Sequence, residues 1–67
     1  RDEATVSALE KAIADVHNDV RRAAALTLAE WSDDPVVRRI LEGAADDPDA
    51  DVRAAVRRSL RGSLAPH

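Results

Sequence analysis

The chain repeats one ten-residue pattern, first as Asp19-Val20-Arg21-Arg22-Ala23-Ala24-Ala25-Leu26-Thr27-Leu28 and again as Asp51-Val52-Arg53-Ala54-Ala55-Val56-Arg57-Arg58-Ser59-Leu60. Asp51 follows Asp19 by 32 residues, and the same offset relates Leu9 to Leu41 and Asp15 to Asp47. A period of about 20–50 residues is the sequence signature of a repeat architecture, and this period suits a pair of helices. The sequence therefore predicts two copies of one helical unit.

The composition is typical of a small helical domain. Ala, Leu, Arg and Glu favour helix, and only two glycines and three prolines interrupt the 67 residues. The chain has no cysteine, so neither a disulfide nor a thiolate metal site can form. Its apolar residues are mostly Ala, Val and Leu, so the core must be thin and closely packed.

Hydrophobic spacing predicts four helices, each with one buried face. The residues expected on these faces are, in chain order, Val6, Leu9, Ala12, Ile13 and Val16; Val20, Ala23, Ala24, Thr27, Leu28 and Trp31; Val37, Ile40, Leu41 and Ala44; and Val52, Ala55, Val56 and Leu60. Short turns join the helices, so neighbours in sequence should be neighbours in space. Leu28 and Leu60 occupy equivalent positions, and we expect both in the core.

Polar residues mark the predicted helix starts. The expected caps are Asp2, Asp34 and Asp49 for the first, third and fourth helices, and His17 or Asn18 for the second. Pro35 supports the predicted start of the third helix, because a residue in the first turn has an unpaired backbone N–H and proline has none. Position 17 is equivalent to position 49 but lacks an aspartate, so the turn of the first repeat should be less well capped.

The whole chain, residues 1–67, is expected to form one domain with two repeats. The first repeat covers residues 2–32 and the second covers residues 34–62. Gly62 is expected to end the fourth helix, and residues 63–67 should form a loose tail.

The pattern Asp-x-x-x-Asp-Val-Arg-x-Ala-(Ala/Val)-x-x-(Thr/Ser)-Leu occurs twice, from Asp15 to Leu28 and from Asp47 to Leu60. It resembles the HEAT repeat in its short bacterial form, which is related to phycobilin lyase-type repeats. The resemblance covers about residues 2–61 and implies an all-α, armadillo-like α-solenoid, a stack of two helical hairpins with four helices. It also implies that charge-assisted hydrogen bonds join the repeats through Asp15, Asp19, Arg21, Asp47, Asp51 and Arg53.

Arginines of the second and fourth helices are the candidate binding residues. They are Arg21, Arg22, Arg53, Arg57, Arg58 and Arg61. The chain has a net charge of −3, but residues 50–67 contain four arginines and one acidic residue. Such a surface suits an acidic protein or the phosphates of nucleic acid, and solvated arginines paired with nearby acids are the alternative. Because Trp31 is the only Trp, Tyr or Phe, single-stranded nucleic acid is disfavoured.

Trp31 is expected to end the second helix, next to the boundary between the repeats. One large residue in an alanine-rich core usually fills a gap, so we expect Trp31 between the repeats. An exposed binding anchor is the alternative.

Catalytic, cofactor and metal sites find little support in the sequence. Asp47-x-Asp49-x-Asp51 resembles the start of a calcium loop, but Val52 and Arg58 stand where that loop needs Gly and Glu. His17 lies in a turn with no cysteine or carboxylate pair at ligand spacing, and no serine lies in a nucleophile-elbow pattern. We therefore expect no catalytic residue, no cofactor and no metal, and the chain should not be an enzyme.

Two repeats are fewer than the three or more that usually make a stable stack. We therefore expect a piece of a longer repeat protein, or a domain that self-associates. The resemblance implies a non-catalytic scaffold or adaptor that binds a protein. The first alternative is nucleic-acid binding, as in HEAT-like DNA glycosylases, and the second is a lyase-type or chaperone-like module on a larger enzyme. No apolar run is long enough to span a bilayer, so we expect no membrane contact and a cytoplasmic location.

Overall fold

Four α-helices account for most of the part of the chain that the structure describes. The structure is a computed structural model that describes residues 2–64, and the side chains of residues 2–61. The helices are α1 (Glu3–Ala12), α2 (Asn18–Leu28), α3 (Pro35–Gly43) and α4 (Ala50–Leu64), with a short 3₁₀ helix, Ala29–Trp31, directly after α2. The predicted all-α class and the four helices are confirmed.

Each repeat is one helical hairpin, and the two hairpins lie side by side. α1 packs against α2, α3 packs against α4, and the most extensive packing in the molecule is between α2 and α4. The second helices of the two repeats therefore form the centre of the stack.

The core lies mainly between α2 and α4. Its buried apolar residues are Val6, Ile13, Ala24, Ala25, Leu28, Val37, Leu41, Val52, Ala55 and Val56. Seven further residues pack against this core while remaining partly buried: Leu9, Ala12, Trp31, Ile40, Ala44, Ala45 and Leu60. Many of these side chains are small, so the helices must approach closely to exclude water.

Local capping explains where the helices begin. Asp2, Asp34 and Asp49 each accept hydrogen bonds from backbone amides in the first turn of α1, α3 and α4. His17 precedes α2 and makes no side-chain capping bond. The first repeat's turn is therefore less well capped than the second, as predicted.

Part of the predicted buried surface of the first repeat is wrong. Val16 is 86% exposed because α1 ends at Ala12, so the helical period no longer applies at position 16. Val20 and Ala23 are also exposed, whereas Ala25, which the spacing did not select, is fully buried. α2 buries the side that faces α4, and Val20 and Ala23 lie away from that side, along an open groove between α1 and α2.

The prediction that Gly62 ends the fourth helix is also wrong. α4 continues to Leu64. Glycine ends a helix when it adopts the left-handed conformation, but within a helix it only weakens it by about 1 kcal/mol relative to alanine. Of the predicted tail, residues 63 and 64 are helical, and residues 65–67 lie outside the described residues. None of the described helices is long and apolar enough to cross a membrane.

The buried state of Leu28 leads to a stability prediction. Leu28→Ala should destabilise the domain by about 2–5 kcal/mol, because the side chain is fully buried and its loss leaves a cavity. Leu60 is only partly buried, so Leu60→Ala should cost less despite its equivalent repeat position. Leu26→Ala is the matched control, since that side chain is 41% exposed. Thermal unfolding followed by circular dichroism measures all three, and equal losses for Leu28→Ala and Leu26→Ala would contradict this core.

Candidate interaction surfaces

Arg21 joins the two repeats. Its Nε donates to Asp47 Oδ2 at 2.7 Å and its Nη2 donates to Asp47 Oδ1 at 3.1 Å. A third bond, from Nη1 to the Asp15 carbonyl oxygen at 2.8 Å, holds the turn of its own repeat. The Arg21 and Asp47 side chains are only 14% and 8% exposed, so this bidentate ion pair is largely shielded from water.

A second hydrogen bond crosses the repeat boundary beside this ion pair. Asn18 Nδ2 donates to Asp49 Oδ2 at 2.6 Å, while Asp49 Oδ1 caps α4. The sequence pattern predicted Asn18 only as a cap and did not predict this contact. The 32-residue offset could have predicted it, because polar residues in equivalent turns become neighbours when repeats stack.

The turn aspartates are held in their charged form. Burial alone would raise the pKa of Asp47, but the Arg21 guanidinium and the Asp49 amide more than offset it, so the pKa is lowered. The His17 backbone amide lowers the pKa of Asp15. The Asn18 side-chain amide and the Val52 backbone amide lower the pKa of Asp49.

The structure divides the six candidate arginines into two groups. Arg21 and Arg53 bond to the turns, since Arg53 Nη1 donates to the carbonyl oxygens of Asp47 and Pro48 at 2.7 and 2.9 Å. The other four are exposed: Arg22, Arg57, Arg58 and Arg61. Sequence spacing did not separate these groups, because the difference lies in which turn each side chain reaches.

Two of the exposed arginines meet in one groove between the second helices. Arg22 of α2 and Arg58 of α4 line a groove of about 230 Å³. The other residues that line it are Leu26, Asp51, Ala54 and Ala55. We call this the basic groove. Its lining combines the guanidinium groups of two arginines with apolar side chains and one carboxylate.

Asp19 and Asp51 lie in the first turns of α2 and α4, where a negative charge favours the helix dipole. Both are exposed, and none of the turn hydrogen bonds among the side chains of residues 2–61 involves either carboxylate. They therefore differ from Asp15 and Asp47, whose carboxylates accept hydrogen bonds in the turns.

Trp31 lies in the 3₁₀ helix, which packs against both α2 and α4. Its side chain is half-buried against the core. This is the position expected of a residue that fills the gap between the repeats.

His17 lies next to a carboxylate, which the sequence pattern did not predict. Its Nδ1 lies 2.9 Å from Asp15 Oδ1, because the turn brings the two side chains together. The imidazole is 75% exposed. Among the described residues, no three His, Cys, Asp or Glu side chains are placed to hold a metal ion.

Stacked helical hairpins with polar bonds between equivalent turns define an α-solenoid of short repeats. The family model for HEAT repeats matches residues 1–61, and the chain belongs to this family. HEAT repeats generally mediate protein interactions and generally act as non-catalytic scaffolds. No curated protein and no solved structure matches the chain.

The shielded ion pair leads to a second stability prediction. Arg21→Gln should lower the melting temperature by more than about 4 °C, because it leaves the Asp47 carboxylate largely buried without its cation. Arg39→Gln removes the same charge from an exposed position and should change the melting temperature little. Thermal melts at neutral pH compare the two, and similar shifts would mean that net charge, rather than the ion pair, is responsible.

The same ion pair predicts a pH dependence. The pKa of Asp47 is lowered from 3.8 in the folded chain, so the unfolded chain takes up the proton first as the pH falls. The stabilisation is present above pH 3.8 and is lost as the pH falls through the folded pKa. Arg21→Gln removes a cause of the lowered pKa, so its melting temperature should fall less between about pH 5 and pH 2.5 than that of the wild type. Parallel pH profiles would contradict this assignment.

Proposed function

We propose that the chain is a non-catalytic protein-interaction module whose basic groove binds an acidic segment of a partner protein. The observation that supports this most directly is that Arg22 and Arg58, from successive second helices, line one groove together with Leu26. Guanidinium groups bind carboxylates through paired hydrogen bonds, so two arginines on facing helices suit a segment with more than one acidic residue.

The apolar part of the groove favours a protein partner. Leu26 is 41% exposed, and the exposed Ala54 lines the same groove. Protein interfaces typically combine arginine with apolar contact area. At about 230 Å³ the groove is smaller than most small-molecule pockets, and it suits one or two side chains of a longer segment.

Nucleic acid is the alternative partner, and the geometry supports it less. Two of the six arginines are used within the turns, and Asp51 places a negative charge in the basic groove. The net charge of −3 adds long-range repulsion against phosphate. Trp31, the only Trp, Tyr or Phe of the sequence, is half-buried against the core, so it is poorly placed for base stacking.

The proposed function predicts charge-selective peptide binding. The probe is a fluorescein-labelled peptide of glutamate, leucine and alanine, titrated by anisotropy at two salt concentrations. Replacing both groove arginines, Arg22→Glu with Arg58→Glu, should weaken binding by about tenfold or more, because each lost charge-assisted hydrogen bond contributes about 1.5–3 kcal/mol.

The matched control is Lys11→Glu with Arg39→Glu. It makes the same change in net charge at exposed positions on α1 and α3, away from the groove. Equal weakening in both variants would show that net charge alone causes the binding. A parallel titration with duplex DNA tests the alternative: sub-micromolar, steeply salt-dependent DNA binding without peptide binding would replace the protein partner with nucleic acid. Circular dichroism verifies that both variants fold.

A further inference from the structure

The first hairpin has an apolar outer surface on the side away from the second hairpin. A groove of about 340 Å³ runs between α1 and α2 there. We call this surface the open face and define it by Leu9, Ala12, Val20, Ala23 and Thr27, which line that groove. Val20 is 39% exposed although it belongs to an amphipathic helix.

In the second repeat, the equivalent residues are covered. At the 32-residue offset, the counterparts of the open face are Leu41, Ala44, Val52, Ala55 and Ser59. Leu41 and Val52 are fully buried, Ala55 and Ser59 are almost fully buried, and Ala44 is partly buried against the core. The open face therefore has the composition of a surface that, one repeat later, is covered by a neighbouring hairpin.

The hydroxyl group of Ser59 contacts the neighbouring hairpin, whereas the equivalent hydroxyl group of Thr27, on the open face, bonds within its own helix. Ser59 Oγ lies within hydrogen-bonding distance of the Ala55 carbonyl oxygen in its own helix, at 2.8 Å, and of the Ala25 carbonyl oxygen in the first repeat, at 3.1 Å. Thr27 is its counterpart, and Thr27 Oγ1 makes the equivalent bond within the helix, to the Ala23 carbonyl oxygen at 2.9 Å. A hairpin on the open face would bring a second carbonyl oxygen to Thr27, as Ala25 does for Ser59.

Asp15, at the same end of the stack as the open face, is the counterpart of Asp47, which forms the ion pair with Arg21 between the repeats. Asp47 Oδ1 accepts from the Asp49 amide at 2.9 Å, and Asp15 Oδ1 accepts from the His17 amide at 2.8 Å, so the two carboxylates are oriented alike in their turns. Asp47 Oδ2 accepts from Arg21 Nε of the preceding hairpin. Asp15 is 38% exposed, and its Oδ2 bonds to no other described residue. It is oriented to accept from an equivalent arginine.

The opposite end of the stack is the outer surface of α4, and its residues differ from those on the surface of α2 that α4 covers. Ala25 is fully buried beneath α4, and its counterpart on α4 is the exposed Arg57. Ala29 is partly buried, and its counterpart is the exposed Arg61. A hairpin stacked on α4 in the observed geometry would bury the Arg57 guanidinium where the first repeat has a methyl group, and burial of a charge without a partner is strongly unfavourable.

We propose that the open face is a docking surface for one further helical hairpin of this repeat type, stacked as the first hairpin is stacked on the second, and that α4 does not accept such a hairpin. The chemistry of the occupant follows from the observed interface: an arginine that bonds Asp15 and, four residues later, a small residue such as the Ala25 that follows Arg21. The surface of α4 lacks that small residue, so a second copy of the chain docked through α4 does not fit. The proposal is independent of the basic groove.

The test extends the chain at either end in the 32-residue register. One variant places a duplicate of residues 1–32 before residue 1. The other places a duplicate of residues 33–64 directly after residue 64. The first should raise the melting temperature by more than about 4 °C and increase the dependence of unfolding on urea, because it covers the open face. The second adds the same number of residues and should give no rise, because it must bury Arg57.

A double-mutant cycle in the longer chain tests the geometry. The two changes are Arg21→Gln in the added copy and Asp15→Asn in the original sequence. Each alone should remove part of the rise, and the pair together should lose little more than either one. Additive losses would show that these side chains do not meet, and equal stabilisation from the two extensions would overturn the proposed polarity. Dimerisation of the unextended chain that Val20→Glu abolishes would also overturn it, by making a second copy the occupant.

Discussion

The rest of the described structure depends on the bidentate ion pair between Arg21 and Asp47, which joins the two repeats. Because both side chains are largely shielded from water, the guanidinium must satisfy the Asp47 carboxylate and the Asp15 carbonyl oxygen at once. This requirement holds α2 beside the turn that precedes α4. The close approach then buries Ala25 and Leu28, and it brings Ser59 within hydrogen-bonding distance of the Ala25 carbonyl oxygen.

The two proposed surfaces follow from the same arrangement. A repeat stack is quasi-one-dimensional, so each hairpin can have a neighbour on two sides and exposes its remaining surfaces. Arg22 and Arg58 lie along the exposed seam between the second helices, where a partner can reach both. The open face and the surface of α4 are the two ends, and Arg57 at the place of Ala25 makes those ends unequal.

The accuracy of the sequence predictions depended on how local the responsible forces are. The start at Asp34 and Pro35 was predicted correctly, because capping involves only the first turn of the helix. Val16 was misplaced because its spacing continues the helical period after the backbone has left the helix. Gly62 was misread because the same residue type can end a helix or remain within one.

The sequence by itself determined the class of fold, the 32-residue register and most helix starts, since periodicity and capping act over a few residues. It also marked the turn aspartates and the arginines as important. Only the tertiary structure decided that Arg21 lies against Asp47 while Arg22 lines the basic groove, although the two are adjacent in the chain. It likewise decided that Val52 is buried and Val20 is not. Burial and charge pairing depend on which neighbour covers a helix face, and identical repeat positions have different neighbours at the two ends of a stack.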